Sequence, residues 1–151
     1  MIGGGLMAHL TQKERYLLED HKSQEELCIK KYNSYANQAQ DPELKQLFTQ
    51  HAQQEQQHLN TINQILSGQV PNTNQQQNQQ DKQNIYVQNQ TSGQIGMKNQ
   101  QDADLCTDLL STEKYVSGTY DIAIFEFRDS NIREALNHIQ KEEQQHGESI
   151  F

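Results

Sequence analysis

From Thr11 onward, apolar residues recur at three- and four-residue spacings in four separate stretches, and polar residues fill the positions between them. The first stretch turns Leu18, Glu25, Cys28, Tyr32, Tyr35/Ala36 and Ala39 to one side, and the second Leu44, Leu47/Phe48, His51, Glu55, His58, Ile62 and Ile65. The third gives Cys106, Leu109/Leu110, Glu113, Val116, Tyr120, Ile124 and Phe127, and the fourth Ile132, Leu136, Ile139, Glu143, His146 and Ile150. Such stripes are the faces that helices of a bundle turn inward. The punctuation agrees. Thr11 with Glu14 forms a capping box for a helix running towards Ala39. Asp41-Pro42 places a capping acid before proline at the first helical position, and Ser67-Gly68 stops that second helix near Leu66. A third helix is expected from about Asp102–Asp104 to near Arg128, and Asp129 caps a fourth reaching His146–Ser149. The joints at positions 40–41 and 128–129 are short, so each helix pair is predicted to be an antiparallel hairpin.

Sliding the sequence on itself by 88 residues superimposes the two hairpins. Leu17 falls on Leu105, Glu25 on Glu113, Tyr32 on Tyr120, Asp41 on Asp129, and Glu55-Gln-Gln-His58 on Glu143-Gln-Gln-His146. The expected fold is therefore all-α, a single domain over residues 1–151 built from two duplicated hairpins, 11–66 and 102–151. Between them, residues 67–101 are polar and without helical period, and are expected to form a Gln/Asn-rich crossover linker; Ile85–Val87 is a candidate for a brief strand or a surface dock. Composition fits this division. The 26 Gln and 12 Asn, with only 32% hydrophobic residues, would suggest disorder if spread evenly. No apolar run approaches membrane-spanning length, and the first ten residues lack the basic and apolar regions of a signal peptide. A formal charge of -8 without a basic stripe excludes nucleic acid as a natural partner. Two cysteines make no disulfide framework.

Six residues break the apolar faces: Glu25, Glu55, His58, Glu113, Glu143 and His146. Carboxylates there are costly unless paired or bound to metal. Glu25 and Glu55 each lie 15 residues from position 40, and Glu113 and Glu143 each lie 15 from position 128. Both pairs thus sit about 22 Å from their turns. If both turns lie at one end of the bundle, the four glutamates meet in one layer, with the connection travelling the bundle's length, about 40 Å, for which about 12 extended residues suffice. One Glu from each of two helices, with Glu-x-x-His from the other two, is the ligand set of di-iron and di-manganese carboxylate proteins with the ferritin-like four-helix fold. Four carboxylates are neutralised by two divalent ions, and i, i+3 spacing puts Glu and His one turn apart on the same face. His51 is read as a core histidine, Tyr32 and Tyr120 as core tyrosines with bonded hydroxyls, Cys28 and Cys106 as small apolar residues, and Glu126 as solvated. Asp20 and Asp108 lie near the right level to hold the ligand histidines but at a poor angle. His146 falls in a terminal turn that is expected to fray.

Residues 47–66, LFTQHAQQEQQHLNTINQIL, and 108–151, DLLSTEKYVSGTYDIAIFEFRDSNIREALNHIQKEEQQHGESIF, resemble the coat F family of spore coat proteins of endospore-forming bacteria. The resemblance covers both hairpins and leaves out the Gln/Asn-rich middle. It implies a ferritin-like fold and a structural component of the spore coat, made in the mother-cell cytoplasm, and it implies no established enzymatic activity. Its partners would be other spore coat proteins, with a homo-oligomer as a further option. The alternative is a di-iron or di-manganese protein with oxidase, peroxidase or metal-storage activity.

Overall fold

The structure is a computed structural model that describes residues 10–69 and 100–150. Among these residues it is all-helical, with four helices and no strand: α1 (Gln12–Gln38), α2 (Pro42–Leu66), α3 (Gln100–Ile124) and α4 (Ser130–Ile150). The expected strand at Ile85–Val87, and most of the 67–101 linker, lie outside the described residues.

The helix starts follow from side-chain capping. At α1, Glu14 N–H donates to Thr11 Oγ1 at 3.0 Å, while Thr11 N–H donates to Glu14 Oε1 at 2.8 Å. Asp41 accepts from Glu43 N–H at 2.8 Å and Leu44 N–H at 3.4 Å. Asp129 repeats this at α4, accepting from Asn131 N–H at 2.8 Å and Ile132 N–H at 3.4 Å. Helix α2 ends where Gly68 takes φ 97°, a conformation that suits glycine, letting Gln69 N–H return to Gln64 O at 2.9 Å. Helix α3 stops at Ile124, short of the expected Arg128. Beyond it, the N–H groups of Glu126 and Phe127 bond back only three residues, to Ala123 and Ile124, and the tightened turn carries Phe127 into the core.

Helix α1 packs against α2 and α3, and α4 against α3 and α2, so the four make a square. Long-range hydrogen bonds give the directions. Gln40 N–H and Asp41 N–H each donate to the Asp102 carboxylate at 3.0 Å, which puts the first turn beside the start of α3. Arg128 N–H donates to Glu14 Oε2 at 3.2 Å, which puts the second turn beside the start of α1. Arg15 reaches Leu66 O at 3.3 Å, at that same end. The two turns therefore lie at opposite ends, not at one end; this placement, and not the expected one, is what separates residues 69 and 100, since turns at one end would have left both at the other. The glutamates still meet, for a geometric reason. A 27-residue helix is about 40 Å long, so 22 Å from one turn is about 18 Å from the other end. The resulting offset of about 4 Å is less than one helical turn.

Glu14 and Asp102 are themselves related by the 88-residue repeat, as are Gln40 and Arg128. Each hairpin's turn is thus tied by the acid that opens the other hairpin. Asp102→Ala leaves two N–H groups of the first turn without their acceptor, and is expected to cost about 2 kcal/mol or more. Urea unfolding should show a lower midpoint at unchanged slope; an unshifted midpoint would show that the strap carries no stability.

The core falls into two apolar clusters. One holds Leu18, Ile62, Ile65, Val116, Phe127, Ile132, Leu136 and Ile139, towards the second turn. The other holds Leu44, Leu47, Phe48, Leu105, Leu109 and Ile150, towards the first. A buried polar layer separates them.

Candidate metal centre

All six expected residues fall in that layer, and none is more than 2% exposed. All but His146 stand well inside their helices, and His146 lies four residues before the end of α4. His146 is in no frayed turn: α4 continues to Ile150, and Ile150 is itself buried.

Two overlapping groups of four bring their ligand atoms within 4.8 Å of one another. One is Glu25, Glu55, His58 and Glu143; the other is Glu55, Glu113, Glu143 and His146. Glu55 and Glu143, the two Glu-x-x-His glutamates, are common to both groups, while Glu25 and Glu113 each belong to one. His58 Nδ1 lies 2.9 Å from Glu143 Oε1, 3.0 Å from Glu55 Oε1 and 3.6 Å from Glu25 Oε1. His146 Nδ1 lies 3.2 Å from Glu113 Oε2 and 3.4 Å from Glu55 Oε1.

The outer ring nitrogens are held from across the bundle. His58 Nε2 donates to Glu142 Oε1 at 2.5 Å, and His146 Nε2 donates to Gln54 Oε1. Both acceptors are buried. They are the residues immediately before the two Glu-x-x-His segments, and they too are 88 apart. Each hairpin therefore orients the other hairpin's histidine, one with a carboxyl group and one with a neutral amide. The sequence reading missed both, although the repeat itself carried the signal. Asp20 and Asp108 do not take this role: Asp20 accepts from Gln24, while Asp108 accepts from Lys31 at 3.1 Å and Tyr35 at 2.8 Å. Glu126 pairs with Lys13 at the surface.

The tyrosines repeat the exchange. Tyr32 O–H donates to Glu113 Oε2, and Tyr120 O–H donates to Glu25 Oε2 at 2.5 Å. Both hydroxyls are buried beside carboxylates, and both effects push them well above their ordinary titration range, so they remain donors. His51 is buried, stacked on His146 with ring centroids 4.1 Å apart, and bonds through neither nitrogen. Burial and the neighbouring His146 charge hold it well below its ordinary pKa, as a neutral core ring. Cys28 and Cys106 are buried free thiols that burial keeps protonated.

Charge in the layer is shared unequally. Burial, then the Glu55 charge, raises the Glu25 carboxyl to about 7. Burial and the surrounding glutamates push Glu143 up as well. Burial also disfavours charge on Glu55, but His146 and His58 overcome it and hold that carboxyl well below 4.5. Burial works against His58 and His146 too; their carboxyl neighbours prevail and raise both, His146 to about 10. The metal-free layer thus holds protons where cations would otherwise stand.

The donor set fits divalent metal. One oxygen each of Glu25, Glu113 and Glu143, and both of Glu55, are buried without a hydrogen-bond partner. Buried oxygens are rarely left so in a finished hydrogen-bond network, and mixed carboxylate and imidazole donors suit iron, manganese or zinc.

No helix among the described residues is long and apolar enough to cross a membrane. No curated protein and no solved structure matches the chain. Residues 101–151, which take in nearly all of α3 and the whole of α4, match the family model described as the Coat F domain; the first hairpin lies outside the match.

Proposed function

We propose that this chain is a structural protein of the spore coat whose ferritin-like four-helix bundle holds two divalent metal ions in its central layer. The Coat F match supports the location, in the coat of a spore after synthesis in the mother cell, and other coat proteins as partners. The single observation that carries the metal is the pair of four-residue groups sharing Glu55 and Glu143. The proposed topology joins the two hairpins by a crossover, a reading supported by the placement of residues 69 and 100 at opposite ends.

In the proposed centre, Glu25 and His58 would serve one ion and Glu113 and His146 the other, with Glu55 and Glu143 available to both. Bound iron or manganese would supply Lewis acidity and, with an external oxidant, one-electron chemistry. The chain's own residues do the remaining work. Glu142 and Gln54 keep the Nε2 proton on each histidine, so that Nδ1 is the free ligand atom. Tyr32 and Tyr120 fix one oxygen of each end glutamate and leave the other for metal. The two apolar clusters exclude water from above and below. A second reading, turnover of oxygen or peroxide, is favoured by the two tyrosine hydroxyls bonded directly to ligand carboxylates.

The test is elemental analysis after anaerobic reconstitution with Fe(II) or Mn(II) and desalting. About two equivalents per chain are expected, falling below about a tenth of an equivalent in Glu55→Gln and Glu143→Gln. The structural role predicts that spores carrying either variant still assemble a coat containing the protein. Wild-type protein that retains under about a tenth of an equivalent, with no change in stability on chelation, would remove the metal centre.

A further inference from the structure

The two hairpins differ in how tightly they close. Helices α1 and α2 pack more closely than α3 and α4. Between α3 and α4 lies a cleft of about 540 Å³ that reaches Glu113 and Glu143, buried at 2% and 0% exposure. Each of these keeps one oxygen, Glu113 Oε1 and Glu143 Oε2, without a hydrogen-bond partner.

Two glycines leave the space open. A Cβ on Gly118 would meet nothing within 4 Å, and one on Gly147 would meet only Leu110 Cδ1 at 3.5 Å and Glu113 Cβ at 4.0 Å. Neither is there for its backbone, because Gly68 is the only positive-φ glycine among the described residues. Glycine in a helix interior otherwise weakens the helix. In the first hairpin the positions 88 residues earlier carry Lys30 and Leu59.

We infer that the α3–α4 cleft is the entrance by which a hydrated divalent cation reaches the central layer; this rests on the metal-binding reading above. The exposed Asp121 and Glu148 line the cleft together with Lys114, so its outer part carries a net negative charge, and the glutamates continue that sign inward. Six waters at about 30 Å³ each need about 180 Å³, so the cleft has room for a hexahydrated ion. A cleft lined with one sign of charge and walled by protein focuses counter-ions and raises their rate of arrival.

The experiment is stopped-flow absorbance of Co²⁺ binding to the full-length metal-free protein. Gly118→Leu places a side chain in open space and improves the helix, so it fills the cleft without disturbing the fold. It is expected to slow Co²⁺ uptake about tenfold or more, with the final bound amount unchanged. Gly147→Ala, whose methyl makes only ordinary contacts, should slow uptake less, and Lys30→Leu on the first hairpin should leave the rate as in wild type. A wild-type rate in Gly118→Leu, or a loss of bound Co²⁺ without slowing, overturns the entrance and leaves the metal centre standing. Wild-type protein that binds no Co²⁺ overturns both.

Discussion

Stripped of metal, the protein is expected to lose on the order of 3 kcal/mol of stability as the pH rises from about 4.5 to about 7, and more beyond. The sign follows from the direction of each shift. The folded Glu25 carboxyl titrates at about 7 against an ordinary 4.5. Its contribution is therefore complete below 4.5 and disappears as the pH passes through about 7. Glu143 is displaced in the same direction. His58 and His146 are also raised, so their contributions are complete below 6.5 and are lost at higher pH, for His146 through about 10. Glu55 works in the opposite sense. Its carboxyl is held down, so its contribution is present above 4.5 and is lost as the pH falls through its depressed folded value. The metal-free protein should accordingly be most stable on the acid side of neutrality. Urea unfolding in the presence of a chelator at pH 5, 7 and 9 would show this as a falling midpoint. Saturating Mn²⁺ should reverse the trend, because metal takes deprotonated carboxylates and displaces the Nδ1 protons. Equal midpoints at pH 5 and 9 without metal would refute the charge distribution described for the layer.

Replacing Glu55 by Gln is expected to cost the metal-free protein about 3–5 kcal/mol, whereas Glu143→Gln should cost about 1 kcal/mol or less. The two residues are equivalent by the repeat and both belong to the two groups of four, yet their charge states differ. Glu55 lies within 3.4 Å of both imidazolium rings and is the carboxylate that stays ionised between them. Taking away its charge leaves two buried cations poorly compensated. Glu143 already holds its proton, so an amide of the same shape replaces it closely, and the amide oxygen still accepts from His58 Nδ1. Thermal unfolding separates the two variants, and imidazole titration by NMR should show His58 and His146 falling towards neutral pKa values in Glu55→Gln alone. Equal losses in the two variants would refute the assignment. On the proposed metal centre, both changes are still expected to abolish metal binding, because Glu55 and Glu143 belong to both groups of four.

Much of this layer can be read directly from the chain. Asp41 and Asp129 precede helices as capping acids do, and the six layer residues interrupt stripes that are otherwise apolar. Their heights follow from counting to the turns. The end at which each turn lies is not encoded in that count, because a glutamate near mid-helix reaches the same level from either end. Gln54 and Glu142 escape a periodicity argument for a different reason. They sit beside the seam rather than on it, facing the helix of the other hairpin, and Gln54 is one of four glutamines within five residues. His21, by contrast, falls on the α1 stripe between Leu18 and Glu25, and it is buried against Tyr120, with ring centroids 4.2 Å apart and Nδ1 2.7 Å from Leu17 O. Contacts that depend on how two hairpins dock leave little trace in the spacing within either one.

The reciprocal pairing has a consequence for what counts as a module. Residues 101–151 contain a complete hairpin, but Glu113 receives its hydroxyl donor from Tyr32, His146 its amide acceptor from Gln54, and the Arg128 N–H its carboxylate from Glu14. Cut free, that segment would expose half a core and three unmet polar demands, at a length where a single small core is already marginal. The stretch recognised as a Coat F domain is therefore half of a folding unit here. It becomes autonomous only with a second hairpin beside it, and this chain supplies that complement from its own earlier copy.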